Sequence, residues 1–184
     1  PPALSAGYKI DGFEILSEIY ASARSQLYKV RDIESGQVMV MKTPSVNFED
    51  DMGYIDRFVQ EEWIGLRVQS PNVVRVVRQE RARTALYYLM EYIEGVNLAE
   101  WMQGNRQPAP KQCIALVKQI AQGLEAFHQY ETVHQDIKPG NIIVTADERA
   151  VIVDFGSVYV AGLAEIERAI QEENTLGTAG YADP

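Results

Sequence analysis

Over the first half of the chain, apolar residues alternate with polar ones in short runs. Over most of the second half they recur every three or four residues. The alternation predicts strands at 13–20, 26–30 and 38–43, with the turn Glu34-Ser35-Gly36-Gln37 joining the last two. An acidic stretch, 47–51, leads into Ile55, Phe58, Val59, Trp63 and Leu66 at helical spacing, which Ser70-Pro71-Asn72 ends. Two further β-rich runs, 73–78 and 85–92, complete a small sheet before Glu94-Gly95 breaks the pattern. From Leu98 the period becomes helical. A short turn at 98–102 is followed by the start signal Pro108-Ala109-Pro110 and a long helix over 111–130, with Ile114, Val117, Ile120, Ala121, Leu124 and Phe127 as its buried stripe. Strands at 142–145 and 151–153 flank a turn, and Leu163, Ile166 and Ile170 predict one more short helix within 162–174. The class is therefore α+β in two parts, an antiparallel sheet with one helix and then a mainly helical part, hinged at 94–97.

Composition narrows the partners. With 46% apolar and 23% charged residues the chain folds, and 17 Lys and Arg against 26 Asp and Glu leave a net charge of −9 that repels nucleic acid. A single cysteine, Cys113, closes no intrachain disulfide, and with His128 and His134 it is too small a set for a Cys/His zinc site. Lys118 and Asp154 interrupt the longest apolar stretches, so no membrane span is expected, and a reducing, cytoplasmic compartment fits. The chain opens at Pro1 with no signal-peptide pattern, as expected of a piece of a longer protein.

The chemistry concentrates in one string, His134-Gln135-Asp136-Ile137-Lys138-Pro139-Gly140-Asn141, placed between the long helix and a short hairpin. Asp154-Phe155-Gly156 follows thirteen residues after Asn141, and Gly177-Thr178-Ala179-Gly180-Tyr181 lies further on. A lone Asp or Asn in a loop is commonly a turn residue. Here the joint spacing resembles the catalytic loop and metal-binding segment of eukaryotic-type (Hanks-type) Ser/Thr protein kinases, and the resemblance runs from about Phe13 to Pro184.

That resemblance implies a kinase-like two-lobe fold: residues 1–12 an N-terminal extension, 13–93 the sheet lobe, and 94–184 a partial helical lobe that reaches the activation segment. It implies ATP and Mg²⁺ as cofactors and a protein bearing Ser or Thr as partner. Asp136 is expected to orient the substrate hydroxyl, Lys138 to face the transferring phosphate, and Asn141 and Asp154 to hold the metal. Lys42 is expected on the α- and β-phosphates, paired with Glu61, with the adjacent Glu62 as the competing candidate, since only one of the two can face the sheet. Ile19, Ser22, Ser25, Leu27, Val40, Met90, Glu91, Ile93, Asn97 and Ile143 are the remaining expected ATP contacts, Met90 as gatekeeper and Asn97 at the ribose.

Some positions depart from the family pattern. The three glycines of the phosphate-covering loop are replaced by Tyr20, Ser22 and Ser25, which leaves Ser hydroxyls or Arg24 to compensate. Gln135 stands where an arginine usually gathers a phosphorylated loop, and a neutral amide cannot pair with a phosphate dianion in that way. A catalytically silent binding module and a small-molecule phosphotransferase are the rival readings. Glu61-Glu62-Trp63-Ile64, the Ser22–Ser25 loop and Val160-Ala161-Gly162-Leu163-Ala164-Glu165 resemble the kinase part of bacterial phosphatase–kinase fusion proteins. This resemblance implies a phosphatase domain on the parent chain and allows a membrane anchor there.

Overall fold

A computed structural model describes residues 4–45 and 51–160, so the expected helix at 162–174 lies outside the described residues. The chain divides into two compact units. Of the described residues, the first takes those up to Leu66 and again Arg75 to Tyr92; the second takes Arg67 to Val74 and Ile93 to Val160.

The first unit is a six-stranded antiparallel sheet with one helix. Its strands are β1 (Lys9–Ile10), β2 (Phe13–Ala21), β3 (Ser25–Asp32), β4 (Val38–Pro44), β5 (Val76–Val77) and β6 (Tyr88–Glu91), in the order β1-β2-β3-β4-β6-β5. Successive side chains of a strand leave opposite faces, so the register sorts the residues. On one face Phe13, Ile15, Tyr28, Val30, Met39, Met41 and Leu89 form a core with Tyr87, each at most 3% exposed. At about 1.5–3 kcal/mol for each large side chain taken from water, this layer dominates the unit's stability. Leu4 and Ile10 cover it, and Leu4 N donates to Tyr28 Oη at 3.1 Å. Residues from Leu4 onward thus pack with the first unit. On the other face Leu27 stands opposite Lys42, Lys42 opposite Tyr88, and Val40 opposite Met90.

Helix α1 (Met52–Gly65) begins at Asp51, whose carboxylate accepts the Tyr54 amide at 3.0 Å, an N-cap. It buries Tyr54, Phe58, Ile64 and Gly65.

In the second unit, α2 (Leu98–Gly104) and α3 (Pro110–His128) accompany a three-stranded sheet of β7 (Val96–Asn97), β9 (Ile142–Val144) and β10 (Ala150–Ile152), and the pair β8 (Thr132–Val133) with β11 (Tyr159–Val160). Pro110 opens α3 at a position where its missing N–H costs nothing. The expected apolar stripe of α3 is corrected in part: Phe127 is buried as expected and Ile120 and Leu124 are half-buried. Leu116, Gly123, Ala126 and Phe127 are its buried residues, whereas Ile114 and Val117 are 68% and 65% exposed. Gly123 decides the face: a Cβ there would come within 2.8 Å of the Asn72 carbonyl oxygen and 2.9 Å of Ile152 Cδ1.

The expected strand at 73–78 is corrected too. Asn72 Nδ2 donates to the Ala150 carbonyl at 2.8 Å, Ile152 N to the Asn72 carbonyl at 2.9 Å, and Val74 N to the Ile152 carbonyl at 2.8 Å. These bonds draw 67–74 into the second unit, and only Val76–Val77 join the first sheet.

Candidate functional site

The second unit carries Asp136 and Asp154 of the expected site. After β8 the chain turns at Gln135, whose φ of 59° is left-handed, and Asp136 N donates to the His134 carbonyl at 2.9 Å. Lys138 Nζ lies 2.8 Å from Asp136 Oδ2, and Asn141 Nδ2 donates to the same oxygen and to the Asp136 backbone carbonyl, each at 3.0 Å. A 3₁₀ turn, Pro139–Asn141, sets that reach, and Val153 N donates to the Asn141 carbonyl at 3.0 Å, tying Asp154 to the same loop. Asp154 Oδ1 accepts the Gly156 amide at 3.1 Å. Phe155 is buried against Phe127 with ring centroids 5.7 Å apart, and Phe127 meets His134 edge to face at 5.3 Å. Burial holds the His134 imidazole below its ordinary pKa, against the opposing pull of Asp154 and Asp136, so the ring is neutral at pH 7.

The first unit carries the expected phosphate-binding lysine. Lys42, only 6% exposed, places Nζ 2.6 Å from Glu61 Oε2. Glu62 turns away and pairs with Arg83 at 3.0 Å, which resolves the choice between the two carboxylates in favour of Glu61. Val40 and Met90 are buried in adjacent strands on the face that bears Lys42. Glu91 ends β6, and its Oε1 accepts the Arg75 amide at 2.9 Å.

The other expected contacts stand in the following surroundings. A bulge between Glu18 and Tyr20 takes Ile19 out of register, so Tyr20 stands opposite Leu27 and Ile19 is 47% exposed. Ser22 Oγ accepts the amides of Arg24 at 3.2 Å and Ser25 at 3.0 Å, while Ser22 N donates to the Ser25 carbonyl at 2.9 Å. The Ser22 hydroxyl and the amides of Ser22, Arg24 and Ser25 thus serve the turn itself. Asn97, expected at the ribose, is the N-cap of α2, with Oδ1 accepting the Glu100 amide at 2.9 Å. Ile93 is buried in the second unit, and Ile143 pairs with Asn97 and Val151.

Three residues near the expected site carry no signal in the linear pattern. Tyr88 Oη donates to Glu61 Oε2 at 3.0 Å, Arg83 holds Glu62, and Tyr54 Oη donates to the Arg24 carbonyl in the β2–β3 turn, an oxygen that also accepts Ser45 N at 2.7 Å. Their partners lie 21 to 30 residues away along the chain.

The donor set suits a hard divalent cation. With Nδ2 of Asn141 bonded to Asp136, its Oδ1 and the Asp154 carboxylate are oxygen ligands of the type Mg²⁺ takes. Among the described residues no cluster of three or more His, Cys, Asp or Glu could hold a metal, and no helix is long and apolar enough to cross a membrane.

A family model described as protein kinase domain matches residues 13–184. The serine/threonine-protein kinase PknE of Mycobacterium bovis is 33% identical over 158 residues, covering 86% of this chain. PrkC of Bacillus subtilis, also a serine/threonine-protein kinase, is 27% identical over 97% of the chain. Either alignment covers 27% of the relative's length, so the chain spans about a quarter of these proteins. The crystal structure of a point mutant of the Mycobacterium tuberculosis PknI kinase domain superposes with a TM-score of 0.66 at 28% identity, over 84% of this chain and 63% of that one.

Proposed function

The chain belongs to the protein kinase domain family, and on that ground we propose that it transfers a phosphoryl group from ATP to Ser or Thr hydroxyls of a protein. The observation that carries this reading is Asp136 Oδ2 accepting from both Lys138 and Asn141. A carboxylate oriented by two donors on one oxygen is placed to take a hydroxyl proton, and proximity and orientation supply most of what phosphoryl transfer requires.

In this reading Asp136 orients the substrate hydroxyl and receives its proton as the oxygen attacks. Lys138 keeps positive charge beside the path of the transferred group. Lys42, held by Glu61, fixes the phosphates that stay behind, and Val40 and Met90 give the adenine an apolar bed. Asn141 and Asp154 would hold Mg²⁺, which when bound neutralises charge on the phosphates. Specificity for Ser and Thr is supported by Lys138 and by the names of the relatives. The likeness of 61–64 and 160–165 to phosphatase–kinase fusions supports a phosphatase domain on the parent chain, which the sequence preceding Pro1 in the gene decides.

The direct test is transfer of labelled phosphate from Mg-ATP to a basic protein substrate by the full-length protein. Label on Ser and Thr, lost in Asp136→Ala, is expected. Label on a small alcohol in place of protein, or undiminished transfer in the variant, overturns the reading.

A second reading, a binding module with little catalysis, is favoured by the Ser22 turn, whose Arg24 and Ser25 amides are engaged within the turn. Protection from thermal unfolding by Mg-ATP separates the two, because a module without nucleotide affinity gains none.

A further inference from the structure

The Lys42–Glu61 pair is nearly dry, with side chains 7% and 13% exposed. Such a pair recovers its desolvation cost only where further hydrogen bonds satisfy the carboxylate. The further bond comes from Tyr88, which is 1% exposed and donates to Glu61 Oε2, the oxygen that Lys42 also binds. The Tyr88 ring packs on Phe58 with centroids 5.2 Å apart, and Phe58 lies one helical turn before Glu61 on the same face of α1. One side chain of β6 thus grips the helix at two points.

A second grip acts on the next residue. Arg83 Nη1 lies 3.0 Å from Glu62 Oε2, and the same nitrogen donates to the carbonyl of Tyr87, the residue beside Tyr88. Adjacent helical residues project about 100° apart. A rotation of α1 that released Glu61 would therefore also pull Glu62 off Arg83, so the two bonds fix the helix's rotation where neither could alone.

We propose that Tyr88 and Arg83 are positioning residues that lock α1 in the rotation where Glu61 meets Lys42. The proposal rests on reading Lys42 as the lysine that holds the ATP phosphates. It concerns an arrangement built wholly within the first unit.

The test uses the full-length protein with Tyr88→Phe, which keeps the ring and removes the hydroxyl, and with Arg83→Gln and Arg83→Lys. Two things are read: steady-state kinetics in ATP, and the rate at which acetic anhydride labels Lys42, followed by mass spectrometry. Expected in Tyr88→Phe and in Arg83→Gln are a KM for ATP raised several-fold, kcat lowered about tenfold, and faster Lys42 labelling. Arg83→Lys should restore part of each effect. The double variant Tyr88→Phe with Arg83→Gln should fall short of the product of the singles, because both act through one helix. A purely structural role would lower the active fraction, and hence kcat, with KM unmoved. Lys42 labelling decides the proposal: rates equal to wild type in both variants overturn it whatever the kinetics. If the wild type transfers no phosphate but labelling accelerates in the variants, the kinase reading fails while the positioning claim stands.

Discussion

Asn141 Nδ2 stands 3.0 Å from both the backbone carbonyl and the Oδ2 of Asp136, so a single amide fixes the loop and the carboxylate it carries. Replacing that amide removes the loop's internal brace together with one of the two oxygen ligands proposed for the metal. Asn141→Ala and Asp136→Ala are each expected to lower kcat on the order of 10²- to 10⁴-fold, with the folded state retained by circular dichroism. Asn141→Ala should also need a higher Mg²⁺ concentration for half-maximal rate, and Asp136→Ala should leave that concentration nearly unchanged.

Tyr54 Oη and Ser45 N converge on the carbonyl of Arg24, which ties the glycine-free β2–β3 turn to both α1 and the end of β4. Tyr54→Phe removes one tie and keeps the buried ring. Amide hydrogen exchange at Ser45 and Ser25 is expected to quicken, and the KM for ATP to rise several-fold with kcat changed less than twofold. Unchanged exchange at both amides would show that the tie does not restrain the turn.

Gly123 sits in the middle of α3, where alanine ordinarily gains about 1 kcal/mol in helix propensity. Here the added Cβ meets a backbone carbonyl at 2.8 Å, and overpacking of that kind costs about 1–3 kcal/mol. The clash is the larger effect, because the Asn72 carbonyl is held by its bond from Ile152 N and cannot yield cheaply. Gly123→Ala is expected to lower stability by about 1 kcal/mol in urea unfolding. At Gly104, the last residue of α2, an added Cβ has no atom within 4 Å, and alanine there should cost no more than about 0.5 kcal/mol.

Asp32, at the end of β3, is 7% exposed and accepts the amides of Glu34 and Ser35, with Arg81 Nη1 2.8 Å from Oδ2. The Arg81 guanidinium first, and those amides next, hold its carboxyl below the ordinary 3.8. The unfolded chain therefore binds more protons than the native one just below that value. The stabilisation is fully present above about pH 4 and is lost as the pH falls through the depressed native pKa. Arg81→Ala should flatten, without abolishing, the loss of urea midpoint on acidification, since the two amide bonds remain. Equal acid slopes in the variant and the wild type would exclude Arg81 as the main cause.

Much of this protein was legible along the chain. The α+β division, the long helix and the hairpins followed from hydrophobic period and turn residues, because those signals act over a few neighbours. The grouping of Asp136, Lys138 and Asn141 was legible for the same reason: six consecutive residues in one turn hold all three, and their bonds span two to five positions. Lys42 and Glu61 were readable only through a resemblance. Periodicity left Glu61 and Glu62 equivalent until the fold supplied Tyr88 of β6 to one and Arg83 of the preceding loop to the other. Tertiary structure alone decided the rest. It set which face of α3 is buried, because Gly123 admits the backbone at Asn72, far earlier in the chain. It also set where the run at 73–78 divides, because Asn72 pairs across 78 residues with Ala150. A side chain's donors and acceptors are claimed by whatever the fold brings within about 3 Å, and that distance carries no trace of separation along the sequence.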